Sequence, residues 1–208
     1  MIRRLIAALA VCAGFGLAGA ALAQKTAPAP APAPAATSAP VVAVQALPAA
    51  IGPFSRFGQV TDYEALPNGA GLGASVEYRD AADGAIATVY IYTARMSGLR
   101  DGADAPEVQA QLQAAGRDIY AAGPRRGYEL MGEGAMRPVT GRNDQPAMRC
   151  THFMLRRQSG GELDSYACVG VLNGRFLKLR LTFGGGAQAR SEDRALAFGR
   201  GVVAALGG

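Results

Sequence analysis

The sequence predicts an α+β domain in which an antiparallel β-sheet meander is covered by two main helices. Two observations carry this prediction. Short segments of alternating apolar and polar residues are separated by turn signals, and two longer segments place apolar residues along one stripe at helical spacing. Their order is a strand pair, a helix, a run of strands and a final helix, which is typical of helices packed on an antiparallel sheet.

The first strand pair is predicted at residues 74–79 and 87–93. Val76 and Tyr78 alternate with polar neighbours in the first strand, and β-branched and aromatic residues fill the second. Asp83-Gly84 is a turn signal between them. These residues therefore predict a hairpin.

The first helix is predicted at about residues 106–122, where apolar side chains recur at i, i+4, i+7 and i+11. This stripe consists of Val108, Leu112, Ala115 and Ile119. Asp104 precedes a proline suited to the first turn, and Gly123-Pro124 is typical of a helix end. The second helix is predicted at about residues 191–206, with Ser191 as its N-cap.

A run of strands lies between the two helices. Two turn signals divide its second half, at Ser159-Gly160-Gly161 and at Asn173-Gly174, the strongest short hairpin signal in the sequence. The pattern indicates successive antiparallel strands. They are predicted at residues 127–131, 136–139, 147–157, 164–172 and 175–183.

The N-terminus predicts export. Met1 to Arg4 is basic, an uncharged apolar run follows, and Ala21-Leu22-Ala23 matches the small-x-small pattern of a cleavage site. Residues 1–23 are therefore predicted to be a Sec-type signal peptide cleaved after Ala23. The mature protein is then periplasmic or secreted, without stable membrane insertion. An uncleaved anchor over residues 5–23 and a lipoprotein modified at Cys12 are the alternatives for this segment.

Residues 24–40 alternate alanine with proline, a composition that favours an extended polyproline II linker. They are interpreted as disordered, either as a spacer or as a leader without a partner. Residues 41–208 are long enough to bury a sizeable core, and they are predicted to form a single α+β domain. Residues 41–50 are apolar without a clear period, and they are interpreted as linker or an edge strand.

The formal charge of +5 on the 208-residue chain suggests a basic protein, but three of the 21 basic side chains precede the domain. Residues 41–208 are nearly neutral and carry no nucleic-acid-binding motif, so no nucleic-acid partner is predicted. Arg149, Arg156 and Arg157 are candidates for an anion-binding face, because guanidinium groups bind carboxylates and phosphates in bidentate fashion. A GC-rich coding bias that enriches arginine is the alternative explanation.

Cys150 and Cys168 are nearly equidistant from the predicted turn at residue 159, which makes them neighbours across two strands. In an oxidising compartment such a pair forms a disulfide. The alternative is a metal site, because strand alternation places His152 on the face of Cys150, and two thiolates with an imidazole suit zinc or copper. No fourth ligand stands out, and no cofactor is predicted.

Motifs for catalysis are scarce. The sequence has no Gly-x-Ser-x-Gly elbow, and its single histidine, His152, has no marked serine partner. Glu129 and Glu133 resemble solvated strand residues as much as a hydrolytic pair. The glycine-rich residues 69–73 lead into a strand rather than a helix, so they are interpreted as a loop rather than a phosphate site. A catalytic role is therefore left open and less favoured.

Three segments, Asp62-Tyr63-Glu64, residues 71–79 and residues 87–92, resemble a group of uncharacterised exported proteobacterial proteins. The order of elements is also similar to the PsbP-like α/β/α sandwich of photosystem and envelope proteins. Neither resemblance brings a catalytic motif. The PsbP-like resemblance implies a non-enzymatic binding or assembly module.

Together these features favour an exported, non-catalytic envelope protein that binds an envelope protein or a small ligand. One alternative is a periplasmic hydrolase whose carboxylates are not identifiable from the sequence; a pocket lined by perturbed carboxyl groups would favour it. Another is a structural envelope component, which a surface with neither pocket nor apolar patch would favour.

Overall fold

The computed structural model describes residues 38–185 and 188–208. The predicted signal peptide, residues 1–23, and most of the predicted linker lie outside the described residues. The helices are α1 (Ala39–Gln45), α2 (Pro106–Arg126) and α3 (Gln188–Ala205). The strands are β1 (Ala50–Ile51), β2 (Phe54–Asp62), β3 (Ala74–Arg79), β4 (Ile86–Tyr92), β5 (Tyr128–Ala135), β6 (Val139–Thr140), β7 (Pro146–Arg157), β8 (Glu162–Leu172) and β9 (Arg175–Gly184).

All strand pairings are antiparallel, in the order β1-β2-β3-β4-β9-β8-β7-β5, with β6 also paired to β7. The predicted α+β class and its two main helices are confirmed. The meander runs through β7, β8 and β9, and the early hairpin β3–β4 joins it at β9. Helix α2 connects β4 to β5 at the opposite edge of the sheet.

The sheet is packed on both faces. Helices α1 and α3 share one hydrophobic core with it, and α2 shares a second core on the other face. Strand β9 serves both faces, because Leu177, Leu179 and Leu181 are buried in the α3 core while Lys178 and Arg180 face the α2 side. Within the described residues, no helix is both long and apolar enough to cross a membrane.

The predicted turns are confirmed. Asn173 and Gly174 have φ angles of 53° and 67°, and they join β8 to β9 as the two central residues of a hairpin. Positive φ at both positions is the requirement of the type I′ turn that Asn-Gly favours. Gly84 also has a positive φ, of 71°, in the connection between β3 and β4.

Both main helices have bounds that differ from the predictions. Helix α2 continues through Gly123 and Pro124 to Arg126, and Gly127 ends it in the left-handed conformation with φ 69°. Gly127 donates its backbone N–H to the Gly123 carbonyl, so the glycine that forms the cap lies four residues beyond the predicted end. Helix α3 begins at Gln188. The N-cap prediction for Ser191 is therefore wrong, because this residue lies inside the helix.

The segment before β3 is more ordered than predicted. Helix α1 begins at Ala39, inside the predicted linker, and occupies residues 41–45, which were expected to be linker or edge strand. Val41 and Val44 are buried against the sheet. Strand β2 was not predicted at all, since a register shift between Phe57 and Thr61 breaks its alternation.

The glycine-rich loop before β3 has a steric requirement for glycine. Gly73 has φ 69°, and a Cβ built on it would lie 1.9 Å from the carbonyl oxygen of Ile91 on β4. Its own carbonyl accepts a hydrogen bond from the Tyr63 backbone N–H at 2.9 Å. Residues 69–73 therefore form a tight connection, as expected for a loop rather than a phosphate site.

Gly73→Ala should lower the free energy of unfolding by about 2 kcal/mol, because the added methyl group is forced against a backbone carbonyl. Urea denaturation measures the change. Gly134→Ala is the matched control, since nothing lies within 4 Å of a Cβ built on that strand residue. Equal stability of the two variants would contradict this account of Gly73.

Candidate functional site

Part of the sheet is uncovered on its α2 face. Helix α2 packs mainly against β5, β7 and β8, and it also covers one end of β4 and β9, where Tyr92 and Phe176 belong to its core and the Tyr92 hydroxyl donates to Gln111 Oε1 at 2.9 Å. A cleft of about 750 Å3 lies between the helix and the part of β2, β3, β4 and β9 that remains open. We name it the β9 cleft, after the strand that supplies its two central cations, Lys178 and Arg180. A cavity of this size falls in the range of small-molecule sites.

The two cations on β9 make few polar contacts with the protein. The Lys178 ammonium lies 4.7 Å from the centroid of the Tyr90 ring and 5.5 Å from that of Tyr92. Arg180 donates one Nη hydrogen bond to Ser165 Oγ at 3.3 Å. Its Nε is buried and has no acceptor among the residues that the structure describes. Both side chains thus keep unused hydrogen-bond donors.

The charges of the β9 cleft are unbalanced. Its lining includes four cationic side chains and two carboxylates, those of Glu77 and Asp118. Glu77 is already paired, with 2.6 Å between its Oε1 and the Nε of Arg79. Within residues 38–185 and 188–208, no carboxylate oxygen lies within 4.0 Å of the nitrogens of Lys178 or Arg180. The two cations are therefore held without a direct counter-charge.

Burial is the main electrostatic influence on these groups. It lowers the pKa of the Lys178 ammonium and of the Arg180 guanidinium, because a charged group loses solvation inside the cleft. It raises the pKa of the Tyr90 and Tyr92 phenols for the same reason. The Tyr90 phenol of the cleft thus stays neutral at neutral pH, and it lies beside two poorly solvated basic side chains.

The cleft also has an apolar wall. It consists of Ile119 and Ala122 of α2 and Leu155 and Leu163 of the sheet, and the α2 lining also includes Asp118 and Arg126. Tyr128 lines the cleft as well, and its hydroxyl donates to the Ile119 carbonyl at 2.8 Å. The β9 cleft therefore combines charged and apolar surface.

The histidine lies on the other face of the sheet, in a buried polar network under α3. His152 Nε2 is 2.8 Å from Asp164 Oδ1, and Ser191 Oγ donates to Asp164 Oδ2 at 3.1 Å. Tyr166 stacks on the His152 ring and its hydroxyl lies 2.7 Å from Ser191 Oγ. Asp164 separates the serine from the imidazole, so this order of groups does not activate the serine through the histidine. The network fastens α3 to β7 and β8.

The predicted disulfide is confirmed. Cys150 and Cys168 are directly opposite each other on β7 and β8, with 4.0 Å between their Cα atoms, and their sulfurs are bonded. Both residues are buried in the α3 core. The alternative metal site of Cys150, His152 and Cys168 is not formed, because the bonded sulfurs offer no thiolate and the imidazole binds Asp164. No group of three His, Cys, Asp or Glu side chains in the described ranges could hold a metal ion.

The arginines singled out in the sequence do not converge on one site. Arg149 forms an ion pair with Asp104 at 2.6 Å near the start of β7. Arg156 and Arg157 lie at the opposite end of the strand, where Arg156 is 3.6 Å from a Glu129 carboxylate oxygen. All three side chains are exposed. The cations of the β9 cleft were missed, although Lys178 is the single lysine of residues 41–208 and alternates with leucines.

The fold and the cleft define an α+β protein with helices on both faces of an antiparallel sheet and a cationic cleft beside α2. No protein-family model and no curated relative matches the sequence. Among solved structures, cyanobacterial PsbP (CyanoP) from Synechocystis sp. PCC 6803 is similar with a TM-score of 0.36 and 12% identity, over 74% of this chain and 85% of that one. The Saccharomyces cerevisiae Ran-binding protein Mog1p has a TM-score of 0.30 and 9% identity, over 74% and 86%. A PsbP protein is thus among the structural neighbours, at a distance that assigns this chain to no family.

Proposed function

We propose that this chain is an exported, non-catalytic envelope protein that binds a small ligand in the β9 cleft. One observation carries the proposal: the cleft, of about 750 Å3, holds Lys178 and Arg180 without carboxylate partners among the described residues. An unpaired, poorly solvated cation costs stability in the empty protein. A ligand that interacts with it recovers part of that cost, which is typical of a binding site.

Two features support export. Residues 1–23 have the three parts of a signal peptide in order. The disulfide between Cys150 and Cys168 is a bond that persists in oxidising compartments and is rare in the cytoplasm.

Binding is favoured over catalysis by the groups that line the cleft. General acid–base chemistry near neutral pH most often uses histidine, and His152 is bonded to Asp164 on the other face of the sheet. Of the two cleft carboxylates, Glu77 is paired with Arg79. The cleft thus has more hydrogen-bond donors and apolar surface for binding than groups suited to general acid–base catalysis.

The test uses the full chain expressed with its own N-terminus and purified from the periplasmic fraction. Intact mass should correspond to a chain that begins at Gln24 and contains one disulfide. The labelled protein is then titrated with a panel of small metabolites, and amide chemical shifts are followed by NMR. We expect shifts that cluster on β2, β3, β4, β9 and α2.

A blocked variant makes the titration decisive. Thr88→Trp fills the β9 cleft from β4 and should abolish the shifts, whereas Ser97→Trp, in an exposed loop, should leave them unchanged. Circular dichroism checks that both variants fold. Retention of the intact N-terminus in the cytoplasm, or shifts that survive Thr88→Trp, would overturn the proposal. Turnover of a panel compound would favour the hydrolase alternative.

A further inference from the structure

The charges and surfaces of the β9 cleft point to the chemical class of its ligand. We propose that the cleft binds a small organic anion, whose carboxylate or phosphate group is held by Lys178 and Arg180 and whose apolar body lies along α2. This inference rests on the proposed function and specifies its ligand. Three observations support it: missing counter-charges, unused donors and an apolar wall.

The lack of direct counter-charges indicates the sign of the charge on the ligand. Lys178 and Arg180 occupy alternate positions of β9, so their Cα atoms are about 7 Å apart on the same face. They have no carboxylate partner among the described residues, and Asp118 on α2 is the one carboxylate of the cleft that is not already paired. Asp118 favours the charged forms of both groups only from beyond ion-pair distance. A neutral ligand would bury the two cations further, whereas an anion supplies a direct counter-charge.

The unused donors set the type of anionic group. A guanidinium has five N–H donors and an ammonium has three. Arg180 donates one hydrogen bond, to Ser165 Oγ, and Lys178 contacts the rings of Tyr90 and Tyr92 rather than an acceptor. Several unused donors that line one cleft suit an oxyanion with two or three acceptor oxygens. Carboxylate and phosphate share this chemistry.

The apolar wall sets the rest of the ligand. Ile119, Ala122, Leu155 and Leu163 line the same cleft as the two cations. An inorganic ion would leave this hydrocarbon surface hydrated, while an organic body buries it at about 25 cal/mol per Å2.

Four probes separate these contributions in calorimetric titrations at low ionic strength. Benzoate and phenyl phosphate carry the two anionic groups on one apolar body, benzyl alcohol keeps the body without the charge, and inorganic phosphate keeps the charge without the body. We expect benzoate or phenyl phosphate to bind at least tenfold more tightly than both benzyl alcohol and inorganic phosphate. The ratio of the two organic anions tells which head group the cleft prefers.

Variants assign the effect to residues. Lys178→Met and Arg180→Met keep the aliphatic stems and should each weaken binding of the preferred anion by about tenfold or more. Arg156→Met removes an exposed arginine of β7 outside the cleft, and it should change the dissociation constant less than twofold. Because each cleft variant removes an unpaired cation, its melting temperature should equal or exceed that of the unaltered protein. Arg180→Lys keeps the charge without the planar fork and should give an intermediate loss.

The outcomes separate this inference from the proposed function. Equal affinity for benzyl alcohol and benzoate, or anion binding unchanged in Lys178→Met and Arg180→Met, would overturn the anion assignment and leave a binding cleft. A marked fall in melting temperature in both methionine variants would show that the cations are structural, and it would also overturn the assignment. Whether the cleft binds any ligand is decided separately, by the metabolite panel and the Thr88→Trp variant.

Discussion

Phe54→Ala should lower the free energy of unfolding by about 4 kcal/mol, which is in the range measured for large aromatic deletions in cores. Phe54 is completely buried beneath α3. Its ring centroid lies 5.0 Å from that of Phe198 and 6.1 Å from that of Phe183, both in edge-on geometry. Alanine removes these contacts and leaves a cavity between the sheet and α3. The surrounding structure relaxes only partly into such a cavity. Denaturation in guanidinium chloride measures the loss.

Phe57→Ala on the same strand is the control. Phe57 is 49% exposed, and its ring packs under the Arg79 guanidinium at 3.4 Å. Its removal should cost about 1 kcal/mol or less. Similar losses for the two variants would mean that β2 does not place Phe54 in the core as described.

The double replacement Cys150→Ala/Cys168→Ala should lower the free energy of unfolding by about 3 kcal/mol. The bond closes a loop between residues 18 apart, and the chain-entropy model assigns roughly this value to a loop of that length. The loss arises mainly in the unfolded chain, which regains the freedom that the cross-link removes. Thermal and denaturant unfolding of the two proteins under non-reducing conditions measures it.

Reductant provides the control for the disulfide. It should destabilise the unaltered protein to about the level of the double alanine variant, and it should leave that variant itself unchanged. A reductant-insensitive melting temperature in the unaltered protein would contradict a contribution of the bond to stability.

Local patterns in the sequence were sufficient for most of the sheet. Strand β3 was predicted with its observed bounds, and β9 to within one residue, because each has a half-buried face that imposes alternation. Asn173-Gly174 fixed the last hairpin, since few other residue pairs accept two positive φ angles. The disulfide was predicted because Cys150 and Cys168 lie at equal distances from the turn near residue 159, which joins β7 to β8.

Long-range packing determined the elements that local patterns missed. Strand β2 forms because β3 lies beside it, and its bulge removes the alternation that would have revealed it. Helix α1 is short, and it is stabilised by burial of Val41 and Val44 on the sheet rather than by its own propensity. The end of α2 lies at Gly127 rather than at Pro124, because a proline in the last turn interrupts few hydrogen bonds.

The cleft was beyond reach for a different reason. It forms beside α2 on a part of the sheet where the strand order brings β4 next to β9. The sequence instead indicated Arg149, Arg156 and Arg157, because they are close together in the chain. In the structure Arg149 lies near the start of β7, and Arg156 and Arg157 lie at its end. Lys178 and Arg180 alternate with leucines in the sequence, and this pattern indicated a strand. It did not indicate that the polar face of the strand would line a cleft.

The β4–β9 pairing also has a consequence for the order of folding. Tyr90 lies opposite Lys178 and Thr88 lies opposite Arg180, so residues about ninety positions apart in the chain meet along this seam. Hairpins β3–β4 and β8–β9 can form locally, whereas the seam requires closure of a long loop and should form late. Because Lys178 and Tyr90 come from the two sides of the seam, a chain in which only the two hairpins have formed lacks the cleft. The cleft is therefore expected to form late in folding, when this seam closes.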